Sequence, residues 1–115
     1  MADYDVGHSN IYKRSLKIPF IYAAADTVKS CTLTGKGKVH SIILTLPNFT
    51  TATTGTLTFE NTDSTEFYNS TAKAENVTYV LTSIDRVLAE TITIKLTLDA
   101  GAGGAHTAYA TIYFE

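Results

Sequence analysis

The feature that most constrains this chain is the alternation, at a period of two, of apolar residues with hydroxyl-bearing ones. In residues 91–98, Ile92, Ile94, Leu96 and Leu98 alternate with Thr91, Thr93, Lys95 and Thr97. Successive side chains leave a strand on opposite faces, so this spacing gathers four aliphatics on one face, whereas a helix would scatter them. A one-residue slip in pairing would turn all four to water, so the register is strongly specified. Residues 107–114 repeat the pattern, with Ala108, Ala110, Ile112 and Phe114 set against Thr107, Tyr109, Thr111 and Tyr113. Gly101, Gly103 and Gly104 lie between the two segments and supply the positive backbone angles of a tight loop, so the pair reads as a C-terminal hairpin.

The same reading extends upstream. Residues 54–60 set Leu57 and Phe59 against Thr54, Thr56, Thr58 and Glu60, and Val77, Tyr79 and Leu81 alternate with Thr78, Val80 and Thr82. Residues 39–46 are apolar at nearly every position after Ser41, which predicts a central strand covered on both faces; Pro47, lacking the ladder donor, ends it. Residues 26–34 and 15–22 form earlier strands. In the second of these Leu16, Ile18 and Phe20 face inward, and Pro19 confines the strand to an edge or a bulge. Gly35, Lys36, Gly37 and Lys38 form the turn between residues 26–34 and 39–46. Only Ile84, Val87 and Leu88 have a helical spacing, and residues 84–90 are expected to hold at most one short helical turn.

About seven or eight short strands, with no helix of useful length, predict an all-β fold: a single antiparallel β-sandwich of Ig-like or jelly-roll type. Threonine, 20 of 115 residues, suits the pleated surface of such a sheet. Residues 1–12 show no alternation and read as an extended N-terminal arm ahead of a sandwich domain of residues 13–115; such arms stay mobile until a partner holds them.

A chain of this length forms one domain. Its one cysteine, Cys31, rules out an internal disulfide. No apolar run approaches the roughly 18 residues of a membrane span, and the opening MADYDVGHSN lacks the basic and apolar segments of a signal peptide. The expectation is a soluble chain made in a cytoplasm, with no membrane partner. Charged residues are 17%, so the surface is hydroxyl-rich rather than ionic. The net charge of −2 is unevenly spread, with six cations and one carboxylate in residues 13–38 and three cations and eight carboxylates in residues 60–115. Strand pairing either interleaves these halves and cancels the field or leaves two faces of opposite sign, which favours contact between copies. The one candidate nucleic-acid patch is Tyr12, Phe20 and Tyr22 near Lys13, Arg14 and Lys17; with a pI near 5.9, no nucleic-acid partner is expected.

Residues that chemistry would need are sparse. His8, His40 and His106 have no spacing that places two ligands on one metal. Cys31 shares a strand face with Leu33 and reads as a buried, inert thiol. No serine sits in a nucleophile elbow and no glycine-rich loop opens a helix as phosphate binding requires. The segment from Glu60 to Glu66 gathers three carboxylates and reads either as a polar turn or as an oxygen-lined ion site without the EF-hand spacing. Three Asn-x-Ser/Thr triplets, at Asn48, Asn69 and Asn76, follow from the abundance of threonine. No catalytic residue, cofactor or metal is therefore expected, and the chain reads as a non-enzyme. Tyrosine is the exception, with seven copies and no tryptophan. Exposed tyrosines bury much area with few rotors, so Tyr109 and Tyr113 on the last strand, with Tyr4, Ile11 and Tyr12 on the arm, are the candidate partner contacts.

The threonine-rich strands TTATTGTLTFENT and ETITIKLTLDAGAGG, with their glycine-rich loop and the arm ahead of them, resemble the small accessory virion proteins of tailed bacteriophages. The likeness is to head decoration, or cement, proteins and head-fibre modules. It implies a structural protein, synthesised in the bacterial host cytoplasm, that sits on the capsid surface and bridges subunits of the major capsid protein or another virion protein. It also implies a homo-oligomer, with a trimer favoured, and makes the arm the first contact element. The alternative is a tail- or fibre-associated β-sandwich that binds a carbohydrate or cell-surface polymer.

Overall fold

The structure is a computed structural model that describes residues 2–5, 14–34, 37–82, 86–88 and 91–114. The described residues form eleven strands and no helix: β1 (Ala2–Asp5), β2 (Arg14–Tyr22), β3 (Val28–Thr34), β4 (Gly37–Leu46), β5 (Thr54–Glu60), β6 (Glu66–Asn69), β7 (Lys73–Ala74), β8 (Val77–Leu81), β9 (Arg86–Leu88), β10 (Ile92–Leu98) and β11 (His106–Phe114). They make two sheets. Sheet I has the order β1-β3-β10-β5-β6, with β7 also on β5; sheet II has the order β2-β11-β4-β8, with β9 also on β4. Apart from β1, which runs parallel to β3, every pairing is antiparallel.

Setting aside β1, β7 and β9, short strands added to β3, β5 and β4, leaves β2-β11-β4-β8 facing β3-β10-β5-β6. That order is the double Greek key of a jelly roll, so of the two sandwich types expected the jelly roll is the one formed.

Period-two patterning explains the core. Ile92, Ile94, Leu96 and Leu98 of β10 and Ala108, Ala110, Ile112 and Phe114 of β11 are all buried, and they meet Leu57 and Phe59 of β5 and Ile18, Phe20 and Tyr22 of β2. Tyr22 fastens the two layers to each other. Its hydroxyl, on sheet II, donates to the Leu96 carbonyl of sheet I at 2.5 Å. Burial, reinforced by the negative charge of Asp26, pushes the Tyr22 phenol far above its ordinary range.

Several expectations are corrected. Strands β10 and β11 do not form a hairpin, because they lie in different sheets. Residues 99–105 arch over one end of the sandwich instead. Ala102 plugs that end and is fully buried, Thr51 N donates to Ala102 O, and Gly103 N donates to Ala24 O. Gly103 has φ +78°, and a Cβ there would collide with the Thr51 hydroxyl and amide. The glycines thus let a loop pass close to two neighbouring segments rather than turn back within one sheet.

Residues 86–88, within the stretch expected to hold a helical turn, form β9, which pairs with Gly37–Val39 at the start of the long β4. An open ladder edge on β4 outweighs a helical spacing too short to nucleate. Residues 2–5, within the expected arm, form β1 along the edge of β3. A strand of four residues needs only unpaired ladder groups beside it, not alternation. β4 is central, between β11 and β8, but its burial alternates: Ile42, Leu44 and Leu46 are buried while Ser41, Ile43 and Thr45 are half-buried. It is therefore covered on one face only.

Candidate interaction face

The two sheets turn different faces outward. Register aligns the outward residues of sheet I in rows: Thr32, Thr93 and Glu60, then Ser30, Lys95 and Thr58, then Val28, Thr97 and Thr56. This face is mostly hydroxyls, with Val28, 48% exposed, as its aliphatic and an ion pair across it, Lys95 Nζ to Glu60 Oε2 at 3.1 Å.

Sheet II presents another chemistry. Its outward rows are Ser15, Tyr113 and Ser41, then Lys17, Thr111, Ile43 and Val80, then Pro19, Tyr109, Thr45 and Thr78, with Ile21 beside Thr107 at one corner. Ile21 is 65% exposed, Val80 66% and Tyr113 37%. Among its described residues the face carries Lys17 in its middle rows and Lys38, which alternates with the buried Val39, at the end of β4 where β9 pairs, and it carries no carboxylate. The Lys17 ammonium lies over the Tyr109 ring, 4.3 Å from its centroid, so the charge is partly spent on the aromatic face. Burying Ile21 and Val80 against a partner would contribute about 1–2 kcal/mol each, given the part of each side chain now in water.

Of the residues singled out from sequence, Tyr109 and Tyr113 lie on this face, two rows apart on β11. Tyr4 lies in β1, its Cα paired with Leu33 on the edge of sheet I, and so belongs to a different layer. Ile11 and Tyr12 lie outside the described residues. Sequence reasoning missed Ile21, Ile43 and Val80 as companions of the two tyrosines. The signal was parity: once Leu16, Ile18 and Phe20 point inward, Ile21 must point outward with Lys17 and Pro19.

The other candidates resolve into local structure. Thr50 N donates to His106 Nε2 at 3.1 Å, the Thr50 hydroxyl is 2.8 Å from the same nitrogen, and the Phe49 ring stands edge-on to the imidazole. His40 is exposed and Cys31 is buried on β3. In the segment from Glu60 to Glu66, Asn61 Oδ1 accepts from the Asp63 and Thr65 amides at 3.0 Å each, and Ser64 takes φ 63°. Glu60 turns to Lys95 and Glu66 to the Asn69 amide, so the carboxylates diverge and the segment is a side-chain-closed turn. Among the described residues no three His, Cys, Asp or Glu side chains converge as metal ligands. A shallow, open pocket lined by Ala52, Thr53, Thr54, Ala74, Glu75 and Asp99 holds two carboxylates, with Glu75 Oε1 enclosed and without a hydrogen-bond partner. The Thr53 hydroxyl at its rim is taken up by the Ala100 amide at 2.8 Å.

Comparison with protein-family models finds no match, and no curated protein is significantly similar to the chain.

Proposed function

We propose that the protein is a non-enzymatic structural component of a virion that binds capsid subunits through the outward face of sheet II and reinforces the shell by bridging them. The observation that carries this reading is the contrast between the two outward faces. One is mostly hydroxylic, with Val28 as its exposed aliphatic; the other exposes Ile21, Val80 and Tyr113 with few charges among them. Exposed apolar residues grouped on one face mark contact surfaces, and aromatics enrich their centres. Few ions have to be desolvated when such a face is covered. Anything that binds only the assembled shell stabilises it by mass action, and many copies add through multivalency. The jelly-roll order also supports the reading at the level of fold, since jelly rolls recur in capsid and lectin modules. A sugar-binding role is less favoured, because the Tyr109 ring face that would stack on a pyranose is occupied by the Lys17 ammonium.

The test is to band particles from the source lysate on a density gradient and quantify this chain against the main shell protein. A copy number near that of the shell protein is expected, and absence from particles would overturn the proposal. Rebinding of Ile21→Asp and Tyr109→Ser chains to stripped particles then checks the face, with loss of binding expected and unchanged binding ruling sheet II out as the contact.

A further inference from the structure

A jelly roll has four open strand edges, and here three of them are blunted. On one side of sheet I, β3 is covered by β1, whose sequence ADYD brings two aspartates to that edge. On the other side, β6 has four residues, begins at Glu66, and meets β5 with a register shift between Phe59 and Glu60. In sheet II, β2 carries Pro19 at its middle, which lacks the donor an incoming strand would need, with Lys17 two residues away. Charges, prolines, bulges and short length are the usual means by which natural sheets refuse additional strands.

The fourth edge, β8, uses none of these except brevity. Its sequence VTYVL has no charge and no proline. It runs against β4 over five residue pairs without a register shift, and among the described residues no strand lies on its outer side. Val77 and Val80 are 43% and 66% exposed. An uncharged, straight, β-branched edge of this kind is a template for strand addition.

We infer that β8 pairs edge to edge with β8 of a second copy, antiparallel about a two-fold axis, so that two copies of sheet II become one continuous sheet. A second copy fits this edge because the strand itself is neutral and opposes no like charges along its length, the Lys73 ammonium 5.7 Å from the Tyr79 ring centroid being a flanking charge outside the strand, while the other edges of the copy are covered, charged or interrupted by proline. A two-fold contact uses the same edge on both copies and closes at two. With Tyr79 at the axis, Thr78 stands opposite Val80 of the second copy, twice over, and Val77 stands opposite Leu81. On the outward face the row through Ile43 and Val80 then runs on into Thr78 and Thr45 of the second copy, joining the two faces into one platform. The inference does not depend on the virion reading, and it gives a dimer where the phage resemblance implies a trimer.

Sedimentation velocity on the unmodified chain, from micromolar to near-millimolar concentration, should show mass rising from 12.4 kDa toward twice that value. The double variant T78K/V80K sets lysine opposite lysine in both cross-strand pairs and should raise the dissociation constant about tenfold or more. The variant T78E/V80K sets glutamate opposite lysine in the same two pairs and should restore the dimer. Both positions are exposed, so the fold is preserved. Amide exchange on the unmodified chain gives a readout free of variants, with β8 amides gaining protection as concentration rises. A monomer at every concentration, an oligomer indifferent to T78K/V80K, or unchanged β8 exchange would each overturn the inference.

Discussion

Tyr22→Phe removes a single oxygen from the middle of the sandwich, and its consequence changes sign with pH. At pH 8 the phenol is neutral, and its hydroxyl makes the buried bond to Leu96 O at 2.5 Å. Such a bond contributes about 1 kcal/mol net. The Leu96 carbonyl keeps its place in the β10 ladder, so no acceptor is stranded, and the variant should be less stable by about 1 kcal/mol, or roughly 4 °C in Tm for a chain of this size. The folded-state pKa of Tyr22 lies well above the unfolded value of 10.0. A group whose pKa is raised on folding contributes fully below its unfolded pKa and loses that contribution as pH rises toward the folded value. Above pH 10 the unmodified chain therefore loses about 1.4 kcal/mol per pH unit through this residue, a loss that phenylalanine cannot suffer. The remaining tyrosines are common to both chains and cancel in the difference. Urea unfolding from pH 8 to pH 11 should show a constant deficit for the variant up to about pH 9.5, then a shrinking one, with the two stabilities crossing near pH 11. A difference that stays flat across this range would refute the claim that Tyr22 is buried and un-ionised between the sheets.

Two further predictions concern side chains that stand in for backbone. Ser70 Oγ accepts the Leu57 amide at 2.9 Å while Ser70 N donates to Leu57 O, continuing the β5 ladder past the end of β6; Ser70→Ala strands a buried N–H and should cost about 1–3 kcal/mol by chemical denaturation. Asp26 Oδ2 accepts from the Ala23 amide at 2.8 Å and pairs with Lys29 at 3.0 Å, and these bonds hold its carboxyl below the usual carboxylate range. Because a depressed pKa stabilises the fold above the unfolded pKa and that help fades as pH falls through the folded value, Asp26→Asn should lower Tm at neutral pH and narrow its gap to the unmodified chain below about pH 4.

Faces were far more legible in the sequence than neighbours. Period two assigns the residues of β5, β10 and β11 to the inward or the outward side, because a strand must alternate, although Thr58 on the outward side of β5 is itself buried. It is silent on which strand lies alongside. A hairpin and a crossover between sheets bury the same Ile112 and Leu96, and the choice between them rested on the 99–105 loop. There Ala102 enters the core and Gly103 passes against Thr51, contacts that depend on segments 50 and 80 residues away in the chain. β6 escaped notice because its aromatics, Phe67 and Tyr68, are adjacent rather than alternating, yet both half-bury against the Phe59 ring, 6.0 and 5.4 Å between centroids. β9 escaped because three residues are too few to show any period, and only the free edge of β4 makes them a strand. The candidate face was half legible for the same reason: Tyr109 and Tyr113 share a strand, but their union with Ile43 and Val80 is made by register.

The two outward faces provide an internal control on what folding requires. Both belong to strands of the same sandwich, and both need residues that tolerate a pleated, extended backbone. Threonine meets that need through its β-branch while offering water a hydroxyl, and on sheet I it fills Thr32, Thr56, Thr58, Thr93 and Thr97. Nothing in strand geometry asks for more on sheet II, and its own Thr45, Thr78, Thr107 and Thr111 show that threonine is accepted there. Ile21, Ile43 and Val80 keep the same β-branch and replace the hydroxyl with methyl or methylene groups, which adds nothing to the core and leaves apolar area in water at Ile21 and Val80. Among the aligned outward rows sheet I makes one such departure, Val28 on β3, 48% exposed, whereas sheet II makes three, with Ile43 and Val80 in the row between Tyr109 and Tyr113 and Ile21 in the row next to Tyr109. On the proposed reading this excess of apolar residues on sheet II serves contact with a partner, which is why the outward face of sheet II, and not the sandwich as such, carries the functional argument.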